Sequence, residues 1–291
     1  MAKKRLSSYI KIILELGKVR IALPVALSAL TGYALRTGTV GQKGLYLSLG
    51  VFLIACCSGT LNHWQERRTD ALMPRTKKRP LPSGKVTPDF ALIVALAYFS
   101  AGSLILLTHF SWVALAASLA TLISYNAFYT PLKKVTAFAV VPGSLVGALP
   151  PYIGWLAAGG FLTDPTIFWV AIFFFIGQIP HFWLLLLMFG SEYKLAGYPS
   201  LNDIFSDSQI KRLSYSWILA TFASALVIAL KVMIGHTVMF LLLFYIFYLL
   251  FSLSIQLFVK KDLQVRSSFF KLNFLYLFMM ISLIIDSLLH R

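Results

Sequence analysis

Acidic side chains are scarce in this sequence of 291 residues, which has 10 Asp and Glu against 26 Lys and Arg. Charged residues of either sign make up 12% of the chain, while 58% is hydrophobic. This excludes a water-soluble domain, in which roughly a quarter of the residues are charged. Cysteine is also scarce, and because Cys56 and Cys57 are adjacent in an apolar run, a disulfide framework is excluded. With no low-complexity segment and no separate soluble domain in view, we expect one membrane domain.

Long apolar runs, in contrast, are abundant. A hydrocarbon core of roughly 30 Å is crossed by about 20 helical residues. Windows of that length with few charges cover residues 19–36, 44–63, 88–108, 111–130, 136–159, 165–190, 213–234, 237–259 and 269–289. The sequence therefore predicts an all-α membrane protein with nine transmembrane helices in a single domain over 19–291. We expect the basic, amphipathic residues 1–18 to be a cytoplasmic interfacial segment, since no cleavage site follows them.

The basic residues are divided unevenly between the two ends of these helices. With the N-terminus inside, 22 of the 26 Lys and Arg fall on the inner side, and only Arg36, Lys43, Lys231 and Arg291 fall outside. The positive-inside rule therefore predicts a cytoplasmic N-terminus. A net charge of +16 suits nucleic acid, anionic lipid or an anionic substrate. Because the charges are bunched between apolar runs, membrane lipid and an anionic substrate are favoured, and nucleic acid is not expected.

The two long inner loops follow the second and the sixth predicted helices, four helices apart. They hold half of the acids of the chain: Glu66, Asp70, Glu192, Asp203 and Asp207. This spacing hints at an internally duplicated helix array whose polar site lies on the inner face.

The most informative pattern begins at the end of the second predicted helix. Asn62, Glu66 and Asp70 follow one another at intervals of four residues, so they share one face of a helix. Three oxygen-bearing side chains in one stripe suit Mg²⁺, which is usually held by one or two carboxylates with waters and substrate phosphates. Surface helices also carry such acids without binding a metal, and that alternative is open on this stripe alone.

Cations follow the stripe directly, and a further one stands after the fourth predicted helix. Arg75, Lys78 and Arg79 lie in one short segment, and Lys133 lies one turn beyond Tyr129. Acids for a metal followed by cations for phosphate are the composition of a diphosphate site. The alternative is a basic loop lying on anionic lipid, with a tyrosine that anchors the membrane interface.

A histidine stands among aromatic and aliphatic residues near the end of the sixth predicted helix. At membrane depth, His181 is costly unless it faces the bundle interior or a cavity. It is a candidate metal ligand or general base, and the alternative is a histidine satisfied by a backbone carbonyl. Glu192 and Asp203 are the acids available there to face the first stripe, and the alternative is that they merely solvate a loop.

Glycines and prolines in the fifth predicted helix are interpreted as architecture. Gly143 and Gly147 have the GxxxG spacing that permits a close helix contact, and Pro150 and Pro151 are expected to distort or end the helix.

Taken in order, these segments resemble the heme O synthases (protoheme IX farnesyltransferases), a family of the UbiA-type intramembrane prenyltransferase superfamily. The resemblance is densest in DALMPRTKKRPLPSG, in YTPLKKVT with GALPPYIGW, and in PHFWLLLL with EYKLAGYPSL. It implies nine helices around a central cavity, with the active site at the cytoplasmic face of a bacterial or archaeal plasma (inner) membrane.

The resemblance also implies roles for residues. Those implied for Mg²⁺ are Asn62, Glu66, Asp70 and Glu192, with Glu at two positions where the family usually has Asp. Those implied for the diphosphate are Arg75, Lys78, Arg79 and Lys133. The catalytic set implied is Asn62, Glu66, Asp70, Tyr129, Lys133 and Glu192. His181 matches a characteristic family histidine and is implied to approach the heme.

The activity implied is Mg²⁺-dependent transfer of a farnesyl group from farnesyl diphosphate to the 2-vinyl group of heme b, which gives heme O. Heme b would be a substrate, and a heme A synthase would be a downstream partner. One alternative is another UbiA-type enzyme that prenylates a quinone precursor or other aromatic acceptor. A more distant one is a secondary transporter, whose ion-binding residues would lie near mid-membrane and not at one face.

Overall fold

A computed structural model describes residues 2–259 and 263–290, with side chains from Tyr9 onward. The described residues form helices and contain no strand. The long helices are α1 (Ala2–Leu16), α2 (Val19–Thr37), α3 (Gly41–Asp70), α4 (Pro88–His109), α5 (Trp112–Leu132), α6 (Ala137–Ala157), α7 (Pro165–Leu195), α8 (Asp207–Lys231), α9 (His236–Val259) and α10 (Val265–His290). Lys260, Lys261, Arg291 and the side chains of residues 1–8, which enter the charge count above, lie outside the described residues.

Eight helices of the described chain, α3 to α10, are long and apolar enough to cross a membrane. The predicted all-α membrane architecture is therefore confirmed. Helix α2 matches the first predicted span but is not among the eight, and it carries Arg20 and Arg36 near its ends. The ninth span and the side of the N-terminus stay predictions.

Helix α2 lies in the middle of the bundle, where it packs against α3, α6 and α10. Glycines make its crossing with α6 very close: a Cβ built on Gly32 would lie 1.9 Å from the Pro151 carbonyl oxygen, and one on Gly154 would lie 1.7 Å from the Ala29 carbonyl oxygen. No side chain fits at either position, so the two backbones are in direct contact. Pro151 does not end the helix, since α6 continues to Ala157.

Two features repeat at an interval of four helices. The longest helices, α3 with 30 residues and α7 with 31, take the second place in the groups α2–α5 and α6–α9. The last helix of each group contains a π-helical turn, Ser124–Tyr129 in α5 and Ile255–Val259 in α9. Such turns often mark functional sites. The repetition supports the internal duplication that the loop spacing hints at.

Candidate active site at the end of helix α3

The last turns of α3 carry the oxygen-rich stripe into the protein interior. The helix continues past the predicted membrane boundary to Asp70, because Gln65, Glu66 and Arg67 favour helix and no Pro or Gly interrupts it. Asn62, Glu66 and Asp70 are 0%, 5% and 1% exposed. Buried polar groups of this kind are stable only with hydrogen-bonding or charged partners. The predicted shared face is confirmed as geometry, and the stripe is not a surface feature.

Each member of the stripe is paired with a cation from another part of the chain. The pairs are Asn62 with Lys18, Glu66 with Lys133, and Asp70 with Arg79. The Nζ atom of Lys18 donates to Asn62 Oδ1 at 2.5 Å, and Nη1 of Arg79 donates to Asp70 Oδ2 at 2.7 Å. Three cations thus converge on one amide and two carboxylates at one end of the bundle.

The π turn of α5 sets the direction of the residues that follow it. Asn126, buried in this turn, accepts a hydrogen bond from Ser58 Oγ at 2.6 Å and donates to Gln65 Oε1 at 3.1 Å. These contacts fix α5 against α3. Because a π turn holds one residue more than an α turn, it rotates the rest of the helix by about 100°. Lys133, which follows the end of α5, pairs with Glu66 of the stripe from this direction.

The ring of Tyr129 is fitted between α6 and α7. Its centre lies 5.5 Å from that of Phe182, and a Cβ on Gly143 would lie 2.4 Å from its Cδ2 atom. A Cβ on Gly147 would lie 2.5 Å from Gln178 Cγ. The GxxxG pair therefore makes room for two side chains, while Gly32 and Gly154 provide the close backbone contact.

Lys133 sits between an acid and two aromatic rings. Its Nζ atom pairs with Glu66 and lies 5.8 Å from the ring centre of Tyr129 and 5.4 Å from that of Tyr198, within range of cation–π attraction. The Tyr198 hydroxyl also donates to Glu66 Oε1 at 3.3 Å. Burial lowers the pKa of Lys133, but the Glu66 carboxylate outweighs burial and raises that pKa above its usual value. Lys133 is therefore held as an ammonium.

The loop after α3 is attached to α7 through Glu192. Its Oε2 atom accepts the backbone N–H of Arg75 at 3.0 Å, and the Arg75 guanidinium lies 4.8 Å from the ring centre of Phe189. Arg75 and Lys78 are exposed, whereas Arg79 reaches inward to Asp70. Of the four basic residues predicted to hold diphosphate, Arg79 and Lys133 lie in the buried cluster, and the other two lie on the adjoining loop.

Glu192 does not join the stripe to form an acid cluster. Within residues 2–259 and 263–290, no three His, Cys, Asp or Glu side chains are grouped closely enough to hold a metal by themselves. The Oδ1 atom of Asp70, however, is buried without a hydrogen-bond partner. The stripe thus offers an amide oxygen and two carboxylates, a set that suits Mg²⁺ when phosphate oxygens and water supply the other ligands.

Lys18, which the sequence places only in the basic leading segment, is a site residue that sequence reasoning missed. It lies in the turn between α1 and α2 and has a left-handed φ of 48°, unlike every other non-glycine residue described. Gly59 of α3 leaves room for this turn, since a Cβ there would lie 3.0 Å from the Gly17 carbonyl oxygen. Burial, reinforced by nearby Arg79, lowers the pKa of Lys18 to about 7. The only sequence signal for the turn is Gly17.

His181 lies outside the cluster of cations and oxygens. Its ring centre is 4.8 Å from that of Phe269 on α10 and 5.5 Å from that of Phe182, the residue that packs on Tyr129. Its Nδ1 atom is buried without a partner, as is that of His63 on α3.

Two cavities adjoin the cluster. One of about 100 Å³ lies among α2, α3, α5 and α6; its wall is mainly apolar and includes Lys18, Ser58 and Tyr125. A smaller one of about 50 Å³ is lined by Tyr129, Lys133 and residues of α6 and α7. His181 lines neither cavity, and the central cavity implied by the resemblance stays a prediction. An apolar space that ends at cations and oxygens suits a ligand with an apolar tail and an anionic head.

Comparison with known proteins finds a matching family and several relatives. The UbiA prenyltransferase family matches residues 25–280. A protoheme IX farnesyltransferase from Oleidesulfovibrio alaskensis is 42% identical over 186 residues, which cover 64% of this chain and 66% of that protein. One from Geobacter sulfurreducens is 39% identical over 187 residues, covering 64% and 68%. One from Nitratidesulfovibrio vulgaris is 36% identical over 165 residues, covering 57% and 58%. The chain thus spans about three fifths to two thirds of the length of these relatives.

Solved structures agree on the fold. The apo structure of a UbiA homolog from Aeropyrum pernix K1 superposes with a TM-score of 0.71 at 17% identity, covering 92% of this chain and 98% of that one. A UbiA homolog from Archaeoglobus fulgidus bound to DMAPP and Mg²⁺ gives a TM-score of 0.69 at 14% identity, covering 96% and 99%.

Proposed function

The chain belongs to the UbiA prenyltransferase family, and from this premise we propose that it transfers a farnesyl group from farnesyl diphosphate to the 2-vinyl group of heme b, giving heme O. The acceptor and the prenyl length rest on relatives named protoheme IX farnesyltransferase at 36–42% identity. The reaction type rests on the geometry of the site.

The observation that carries the proposal is the pairing of the buried stripe with cations. Asp70 Oδ1 is a buried oxygen without a partner, and Asn62 and Glu66 extend the same face of α3. These oxygen atoms suit Mg²⁺ as ligands. The Archaeoglobus fulgidus homolog, which has the same fold, was solved with DMAPP and Mg²⁺ bound. Glu192, attached to the loop through Arg75, is the fourth proposed metal ligand.

When bound, Mg²⁺ supplies positive charge at the diphosphate and so favours breaking of the allylic C–O bond. The chain contributes Arg79 and Lys133. Their ion pairs with Asp70 and Glu66 hold both cations beside the proposed metal ligands. Exposed Arg75 and Lys78 would contact the outer phosphate.

The remaining steps take place away from bulk water. As the C–O bond breaks, the 2-vinyl group of heme b forms a bond to the farnesyl carbon. One water molecule then adds to the resulting cation and gives up a proton to the released diphosphate. The apolar cavity beside Lys18 and Tyr125 has the chemistry to hold the prenyl tail. The ring of Tyr129, fixed by Gly143 and Phe182, presents a π-face to the allylic cation.

His181 is the residue that we propose to contact the heme. Its unpartnered Nδ1 atom lies between α7 and α10, one residue from the Tyr129 contact, and a heme bound at this seam would satisfy it. We further propose nine spans in one intramembrane domain over 19–291, preceded by the cytoplasmic interfacial segment 1–18, whose last residue, Lys18, turns inward to the cluster. The active site then faces the cytoplasm at the plasma (inner) membrane, and a heme A synthase takes the product on.

Purified protein with heme b, farnesyl diphosphate and Mg²⁺ should yield heme O, detected by mass spectrometry. Asp70→Ala should abolish this Mg²⁺-dependent turnover while the protein stays folded and binds heme. Product from an aromatic acid and none from heme would identify the quinone-precursor alternative. Substrate transport without release of diphosphate would identify a carrier instead.

His181→Ala should weaken heme binding more than binding of farnesyl diphosphate. The matched control is His63→Ala, which also removes a buried imidazole with an unpartnered Nδ1 atom. Titration of each variant with heme, followed by the Soret absorbance, checks this. Equal losses of affinity for both substrates would assign His181 a structural role.

A further inference from the structure

We infer that Lys18 is a resident cation that keeps the Asn62 end of the metal site closed to Mg²⁺ until prenyl diphosphate is present. This rests on the proposed function and adds an order of binding to it. Lys18 would act as a positioning residue: it leaves Asn62 when the diphosphate arrives and then pairs with that anion.

The first support is the contact itself. Lys18 Nζ donates a hydrogen bond to Asn62 Oδ1 at 2.5 Å, and Asn62 Nδ2 donates one to Thr130 Oγ1 at 3.0 Å. The amide oxygen that a metal would need is therefore already bonded to an amine. A metal cation is disfavoured at this oxygen while the protonated Lys18 amine remains there, because two positive charges would then lie against the same atom.

The second support is the backbone that delivers the amine. Lys18 is held at a φ of 48°, in a left-handed conformation that is costly for a side-chain-bearing residue. Small Gly59 accommodates the turn against α3. Lys18 thus takes a backbone conformation that glycine or asparagine adopts more easily, and in this conformation its amine reaches Asn62.

The third support is the balance of charge. Lys133 and Arg79 balance the carboxylates of Glu66 and Asp70, so protonated Lys18 leaves the cluster without ligand net positive. A divalent cation that enters alone adds to this excess. A prenyl diphosphate brings more negative charge than one Mg²⁺ brings positive, so the two together restore balance. The cluster therefore rejects free metal and accepts metal with diphosphate.

Lys18 also stands where an arriving substrate would meet it. It lines the apolar cavity of about 100 Å³ together with Tyr125. An anionic head at the end of a tail in this cavity lies within reach of a flexible lysine side chain. The diphosphate can thus draw Lys18 off Asn62 and expose the metal ligand in the same step.

The test measures Mn²⁺ in place of Mg²⁺, by the electron paramagnetic resonance signal of the free ion, with protein in phosphatidylcholine nanodiscs. Wild-type protein should bind Mn²⁺ weakly alone and at least roughly tenfold more tightly with farnesyl diphosphate and no heme. Lys18→Met should bind Mn²⁺ alone at least roughly tenfold more tightly than wild type. It should also show a raised KM for farnesyl diphosphate.

Two further variants guard the result. Lys18→Gly removes the amine while easing the left-handed backbone, so it should fold and reproduce the metal affinity of Lys18→Met. Lys11→Met removes an exposed cation from the preceding helix and should leave Mn²⁺ binding as in wild type. Unchanged affinity for Mn²⁺ alone in both Lys18 variants, in protein that binds Mn²⁺ with diphosphate, overturns the role of Lys18. If wild type binds no Mn²⁺ even with diphosphate, the proposed function itself fails.

Discussion

Replacing Lys133 by methionine removes an ammonium but keeps an unbranched side chain, so the variant isolates the charge. Glu66, 5% exposed, would lose its ion-pair partner and keep only the Tyr198 hydroxyl at 3.3 Å. Leaving one member of a buried pair uncompensated costs about 3–5 kcal/mol. The Lys133 side chain retains 18% exposure, which lets water reach part of the site, so we expect about 3 kcal/mol of destabilisation.

The double variant Lys133→Met with Glu66→Gln separates stability from chemistry. With both charges gone, no buried charge is left alone, and at least half of the lost stability should return. Turnover should not return, because the proposed reaction needs Lys133 at the diphosphate and Glu66 at the metal. Both variants should be at least roughly 10²-fold slower than wild type, since removing even one preorganised electrostatic contact costs about 10²–10³ in rate.

Thermal unfolding can be followed with a thiol-reactive dye, because Cys56 and Cys57 are both buried and become reactive as the bundle opens. Heme O formation gives turnover on the same samples. Lys134→Met, at the exposed neighbouring position, is the matched control and should change neither quantity. A double variant no more stable than Lys133→Met would refute the coupling of the pair, and recovered turnover would refute contact between Lys133 and diphosphate.

Three further substitutions test the geometry around the site. Gly143→Ala places a Cβ 2.4 Å from Tyr129 Cδ2, so the ring must move, at a cost of roughly 1–3 kcal/mol for overpacking. The displaced ring should lower kcat about tenfold, and an unchanged kcat would remove this ring from the mechanism. Glu66→Asp withdraws the carboxylate by about 1.5 Å and should retain turnover with a higher Mg²⁺ requirement, whereas complete loss would mean that the site depends on the longer acid. Asn126→Ala should cost about 1–3 kcal/mol in thermal unfolding, because it leaves polar groups of α3 without partners, and it should slow turnover by turning Lys133 away.

The stripe on α3 could be predicted from sequence because it depends only on the period of a helix. Intervals of four residues place Asn62, Glu66 and Asp70 on one face wherever the helix lies. The sequence could not establish that this face is buried, since acids at the same spacing occur on exposed helices. Burial depends on α5 and the loop after α3, which arrive from elsewhere in the chain.

Lys18 and the π turn could not be predicted for the same physical reason. The turn at Gly17 and Lys18 takes its shape from packing against Gly59, and its amine finds Asn62, 44 residues away. The π turn is stabilised by Asn126 bonding to Ser58, 68 residues away. Local propensity does not depend on contacts between distant residues. The local sequence therefore indicates only a basic segment around Lys18 and an ordinary α-helix at the π turn.

Some of the basic residues that indicate topology also have partners in the protein interior. The positive-inside rule treats Lys18, Arg79 and Lys133 as topology signals, yet each is bonded to a buried oxygen of the stripe on α3. The other long helix, α7, carries the acid Glu192 near its end. This acid accepts a backbone N–H and does not lie in the stripe. If the two groups of four helices arose by duplication, the site has become asymmetric, with the charge needed for chemistry concentrated on α3.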